Sequence, residues 1–199
     1  MVSKTVLSAA AAFALMLGVC AAGPQADCVR HACRPGGYLV ILRGELRVPV
    51  IKSAYETANG ILIFPGETLM FQLPVLAGRT DKPSFVMEYA PDFPATRTPP
   101  SAAALPKLAT AEEKAVEVFP EGTTVVSYGQ PKNGTGMILT LVHNVSQPLK
   151  FDVTVQGQKQ VVTVCAPKPN RPVTQTWPAP AGPVTVQNFR LLAAGARCP

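Results

Sequence analysis

The stretch Leu149-Lys150-Phe151-Asp152-Val153-Thr154-Val155 decides how the rest of the chain reads. Phe151, Val153 and Val155 alternate with Lys150, Asp152, Thr154 and then Gln156. That period sends one set of side chains into a core and the other to water, as in a half-buried β-strand. Ahead of it, Asn144–Pro148 reads as a turn that brings Met137–His143 back alongside. Behind it, Gln156, Gly157 and Gln158 do the same for Gln160–Cys165, so three consecutive antiparallel strands are expected.

Further out, short runs rich in Val, Ile, Thr, Phe and Tyr recur between Pro, Gly and Asn, which is how strands punctuate a sequence. They are Tyr38–Arg43, Ile61–Phe64, Thr68–Leu73, Ser84–Tyr89, Thr123–Tyr128 and Val184–Leu191. With about eight or nine strands and no long helical period, the expected fold is all-β. Its architecture is a two-layer antiparallel β-sandwich, immunoglobulin-like in the broad sense, with one long Pro-rich loop and at most one short helix. A stricter immunoglobulin pattern built on Cys165, Trp177 and Cys198 fails, because one residue follows Cys198 and no strand remains after it. Trp177-Pro178-Ala179-Pro180 reads as loop, with Trp177 a partly buried packing residue.

Composition sets the outer limits. Of 199 residues, 47% are hydrophobic and 15% charged, enough apolar surface to exclude a wholly disordered chain. Twenty-one prolines against 15 glycines, with no repeat period, exclude collagen and coiled coil and argue against a helical bundle.

Met1–Ala22 carries one cation, Lys4, then an uncharged run from Thr5 to Val19 that ends in small residues, and is read as a secretory signal peptide. The run is too short to favour a spanning anchor, so no transmembrane span is expected after cleavage. Residues 23–199 then form a single β-sandwich domain, placed in the periplasm or secreted. Leu17, Gly18, Val19 and Cys20 resemble a bacterial lipoprotein processing site, departing from it at Val19, which makes Cys20 the candidate lipidation residue.

Beyond Cys20 four cysteines remain, Cys28, Cys33, Cys165 and Cys198, and an even number in an oxidising compartment reads as two disulfides. Four cysteines allow three connectivities, of which Cys28–Cys33 with Cys165–Cys198 is favoured. A zinc site at Cys28, His31 and Cys33 is the competing reading, opposed by export and by the lack of a fourth ligand nearby. Cys33 is followed by Arg34, which excludes haem attachment. No cofactor is called for.

Eighteen Lys and Arg against 12 Asp and Glu give a net charge of +6, unevenly spread. Residues 81–120 hold four cations and six acids, whereas 121–199 hold seven cations and two acids, Glu121 and Asp152. A modest, scattered excess of this kind ordinarily marks a solvated surface; the competing reading is a polarised surface that steers an anionic partner, an envelope protein or an anionic surface polymer. There is no Lys/Arg run or aromatic stacking pattern of the kind that marks nucleic-acid binding.

Residues 90–109 carry Pro91, Pro94, Pro99, Pro100 and Pro106, which excludes regular strand pairing there. Phe93, Leu105 and Leu108 give it apolar content to dock as a packed connector; with Arg97 they are also the residues of a candidate recognition loop, and a linker between two halves is the third reading. Thr110 with Glu113 resembles a capping box for a single helical turn or two, and Val116, Val118 and Phe119 equally suit the start of a strand. Asn133-Gly134-Thr135 and Asn144-Val145-Ser146 match N-glycosylation acceptors. No Gly-x-Ser-x-Gly elbow, phosphate loop or dinucleotide fingerprint occurs, and His143 has no nucleophile placed beside it by local sequence. The expected function is therefore non-catalytic surface recognition or an accessory role in a bacterial envelope. The alternatives are a secreted hydrolase, or a protein inhibitor that uses the 90–109 loop.

Overall fold

The computed structural model describes residues 28–90, the backbone of 96–97, residues 119–193 and residues 195–198. In chain order the strands are β1 (Cys33–Arg34), β2 (Tyr38–Ile41), β3 (Arg47–Val50), β4 (Ser53–Ala54), β5 (Gly60–Ile63), β6 (Glu67–Gln72), β7 (Val75–Leu76) and β8 (Arg79–Thr80). They continue as β9 (Ser84–Tyr89), β10 (Thr96–Arg97), β11 (Thr123–Gly129), β12 (Met137–His143), β13 (Leu149–Val155), β14 (Val161–Ala166), β15 (Val173–Trp177) and β16 (Val184–Leu191). No α-helix forms among the described residues. The capping box at Thr110 lies outside them.

Two antiparallel sheets make the sandwich: one in the order β15-β12-β11-β6-β9, the other β14-β13-β16-β5. The alternating strands supply the interface, with Leu69, Phe71, Val126, Leu139 and Leu141 of the first sheet and Ile61, Phe151, Val153 and Val186 of the second all buried in one core. Phe71 meets Phe189 across the layers at 5.5 Å between ring centroids. A β-bulge delivers that ring: the β13–β16 register slips between Lys150 and Asp152, and Asn188 takes φ 54°. A bulge of this kind re-aims the next side chain, here turning Phe189 toward the core. The β2–β3 hairpin, turned by Gly44 and Glu45 at φ 88° and 66°, adds Val40, Leu42, Val48 and Val50 to the same core. Positive φ at both residues is what a tight hairpin turn demands.

Three expectations need correction. First, β13 and β14 pair as expected, but β12 does not pair with β13; it joins β11 and β15 in the opposite sheet. The connector 144–148 crosses the sandwich instead of turning flat. Its first residue is hydrogen-bonded to one sheet, Asn144 N–H donating to Thr123 O at 2.8 Å, while Pro148 O accepts from Leu192 N–H beside the other at 2.9 Å. Val145 between them is buried. Both strands carry large apolar faces, and crossing lets each cover the other.

Second, Trp177 is not in a loop. It ends strand β15 opposite Met137, with its ring edge-on to Tyr128 at 5.9 Å, and Pro178 stops the pairing there. Third, strand pairing does occur inside 90–109. Thr96 and Arg97, the stretch between Pro94 and Pro99, pair with Ile41 and Val40 of β2. Both residues keep the N–H that proline lacks.

The disulfides are Cys28–Cys33 and Cys165–Cys198. The second closes a loop with a sequence separation of 33, the first one of 5. In the chain-entropy account these closures are worth about 4 and about 2 kcal/mol. Urea denaturation of the Cys165→Ala/Cys198→Ala and Cys28→Ala/Cys33→Ala variants should therefore show the larger loss in the first pair.

Candidate functional site

The most densely wired group of polar side chains lies where β1 meets β4 at one end of the sandwich. Cys33 pairs with Ala54 and Arg34 with Ser53, so the disulfide loop ends in an arginine aimed inward. The Arg34 side chain is wholly buried. Nε donates to Glu67 Oε1 at 2.8 Å and Nη2 to Glu67 Oε2 at 3.2 Å, a bidentate pair. Nη2 also donates to Leu62 O at 2.6 Å, and Nη1 to Ser53 Oγ at 2.9 Å and Ala54 O at 3.1 Å. All five guanidinium N–H groups thus have partners.

Two aromatic rings lie against the cation, Tyr55 at 4.6 Å and Phe64 at 4.7 Å from its central carbon. Tyr55 in turn stacks on Phe85 at 4.0 Å, nearly parallel. Glu67 Oε2 takes a further hydrogen bond from Phe64 N–H at 2.8 Å. Burial pushes the Glu67 carboxyl upward, and the guanidinium and this N–H pull it back. The Tyr55 hydroxyl donates to Glu88 Oε2 at 2.8 Å; burial, then the Glu88 charge, hold the phenol well above its ordinary pKa.

Beside this network Glu56 ties three segments together. Its Oε2 lies 2.8 Å from His31 Nδ1 and 4.0 Å from Lys82 Nζ, and its Oε1 accepts from Phe85 N–H at 2.8 Å. His31 was weighed as a metal ligand with Cys28 and Cys33, but those two sulfurs are bonded to each other.

A second cluster lies on the solvent face of β13 and its neighbours. Asp152 accepts from Thr163 Oγ1 at 2.8 Å, Asn188 Nδ2 at 3.1 Å and Arg190 Nη2 at 2.6 Å. Burial works to raise this carboxyl, but the hydrogen bonds and the Arg190 charge outweigh it and hold it below the ordinary carboxylate value. The bulge at Asn188 is what brings the amide within reach.

His143 is the remaining chemistry-bearing group. It ends β12 fully buried, opposite Thr124 of β11. Nδ1 accepts from Val145 N–H at 3.2 Å, which leaves the ring proton on Nε2. Nε2 and the neighbouring Thr124 Oγ1 have no hydrogen-bond partner among the described residues. Burial drives the imidazole pKa below its ordinary value.

Of the residues singled out from sequence, the four disulfide cysteines pair within the described region, at its two ends. Arg97 contributes backbone pairing to β2, while Phe93, Leu105, Leu108 and Cys20 lie outside the described residues. Asn144, read as a glycosylation acceptor, has its side-chain amide bonded to Phe119 O and its side-chain oxygen to Asn170 Nδ2. Sequence reading missed Arg34 and Glu67, whose separation of 33 positions leaves no local spacing to notice. The chain matches no protein-family model, no curated protein and no solved structure.

Two outcomes follow from these environments. Arg34→Met leaves a carboxylate buried among apolar rings and should cost about 3–5 kcal/mol in urea denaturation, whereas Arg34→Met/Glu67→Leu should recover most of that loss. His143 binds its proton less readily folded than unfolded, so its contribution is complete above an unfolded pKa of about 6.5 and is lost as pH falls below it. The slope approaches about 1.4 kcal/mol per pH unit for one proton. His143→Leu should flatten the stability profile just below about pH 6.5 and leave the Asp152 loss, which lies below about pH 4, in place.

Proposed function

We propose that this chain is an exported, non-catalytic β-sandwich protein of a bacterial envelope, periplasmic or secreted, acting by surface recognition or as an accessory to a larger assembly. The observation that carries the reading is where the chemistry-bearing side chains point. Arg34 and Glu67 satisfy each other inside the fold, Asp152 is engaged by Thr163, Asn188 and Arg190, and His143 is sealed from solvent. A catalytic group must reach its substrate, and these groups hold the fold together instead. Two disulfides are compatible with an oxidising, extracytoplasmic compartment. The excess of cations after residue 121 favours an acidic envelope protein or an anionic polymer as partner.

The test is fractionation of cells that make the chain, with thiol alkylation before lysis, intact mass measurement and photo-cross-linking on whole cells. The expected result is a chain in the periplasm or medium, shortened by its first 21 or 22 residues, with four cysteines protected from alkylation and one or a few discrete cross-linked species. A full-length, fully alkylated chain in the cytosol, or a monomer with no cross-linked species, would overturn the reading.

A further inference from the structure

The two lateral edges of the sandwich are treated differently. On the β5/β9 side the edge is closed by the chain itself: Leu62 N–H donates to Tyr55 O and Thr57 N–H to Gly60 O, each at 2.8 Å, and Glu56 bridges to Ile61. Glu56 Oε1 also takes Phe85 N–H of the neighbouring edge strand β9. On the opposite side β14 pairs with β13 alone and β15 with β12 alone. Among the described residues no backbone hydrogen bond reaches the outer edge of Val161–Ala166. Edge strands of this kind template the addition of another strand unless they are blunted.

The open strand reads Val161-Val162-Thr163-Val164-Cys165-Ala166, without charge or proline, and Val161 is 53% exposed. Val164 and Ala166 face the core, while Thr163 is held to Asp152 and Cys165 to Cys198 on the opposite face. The backbone edge itself is left clear of both. Exposed cations flank it, Lys159 before the strand and Lys168 and Arg171 after it. From Val153 to the end of the chain there are five cations and no acid.

Those charges choose the occupant. A second copy pairing antiparallel on β14 sets Lys159 of one copy near Lys168 of the other, and a parallel pair sets each lysine beside its equivalent. Like charges opposed across strands destabilise the pair. We infer that β14 is the site where an extended segment of another protein adds as a strand, its middle uncharged and β-branched, with Asp or Glu at both ends. Backbone hydrogen bonds supply the affinity in this mode, and the charged flanks supply register and partner choice. The inference rests on the recognition reading and names its surface and the chemistry of its partner.

The test uses the full disulfide-bonded chain and three synthetic peptides. One has alternating Val and Thr with Asp-Glu at each end, the second has Lys-Lys at each end, and the third is the acid-ended peptide with proline at its centre. Binding is read by fluorescence anisotropy and located by amide hydrogen exchange. The acid-ended peptide should slow exchange in 161–166 and bind about tenfold or more tightly than the Lys-ended one, a ratio set by charge pairing. The proline peptide should not bind. Lys159→Glu/Lys168→Glu, both at exposed positions, should keep the melting temperature and invert the preference. The inference is overturned if the amides of 161–166 that point away from β13 are already protected without peptide, if light scattering shows a dimer whose contact protects them, or if the charge-reversed variant binds the acid-ended peptide unchanged. Whole-cell cross-links that persist in Lys159→Glu/Lys168→Glu would remove this edge while leaving recognition standing; their absence in the unmodified chain would remove recognition itself.

Discussion

A charge buried without a partner costs several kcal/mol, and the organisation of the N-terminal third of the described structure follows from avoiding that cost at Arg34. The guanidinium can sit where it does only if Glu67, Ser53, Ala54 O and Leu62 O are all in place, which fixes β1 against β4 and both against β5 and β6. The aromatic rings of Tyr55 and Phe64 pack against it, and the side chain is wholly out of water. A pair of this kind is a poor source of net stability, because desolvation offsets much of the attraction. Its effect lies in specification: one arrangement satisfies every donor, and a shifted register strands the cation. The Cys28–Cys33 bond, adjacent in sequence, restricts the approach of the same segment.

The sheets were legible where one residue pattern had one physical meaning. Phe151, Val153 and Val155 alternate with polar neighbours, and the strand, its inward face and its pairing with β14 are as that alternation implies. Connectivity between the layers was less legible. Asn144–Pro148 has the composition of a turn whether it folds back within a sheet or crosses to the other, and the deciding bonds, to Thr123 and Leu192, come from residues 21 and 44 positions away from Asn144 and Pro148. The short strands β1, β4, β7, β8 and β10 are two residues each, below the length at which any periodicity can register. Trp177 was hidden by its flanking prolines, although strand β15 ends where they begin.

The polar clusters show the same division. Asp152 was visible only as the outward member of an alternating strand, and nothing local indicates that a bulge in β16 would bring Asn188 to it. His143 ends the strand expected over Met137–His143, and its complete burial follows from the layer that strand joins. An imidazole in such a place, accepting from Val145 N–H and burying an Nε2 that has no partner among the described residues beside a Thr124 hydroxyl in the same position, trades local stability for a ring whose neutral form is favoured. Nothing else in the structure explains why a histidine stands there in place of an apolar residue.

The two disulfides restrain opposite ends of the described region, yet their surroundings differ. Cys28–Cys33 abuts the saturated Arg34 network, where the chain also covers its own sheet edge. Cys165–Cys198 fastens the C-terminal residues to the solvent face of β14 and leaves that strand's outer backbone without a partner among the described residues. A disulfide on the face resists detachment of the strand from β13 without occupying the edge, so the edge can be rigid and open together. Rigidity matters for strand addition, because a frayed template must first be ordered at an entropic cost of about 1–2 kcal/mol per residue, whereas a fixed one presents its donors and acceptors already aligned.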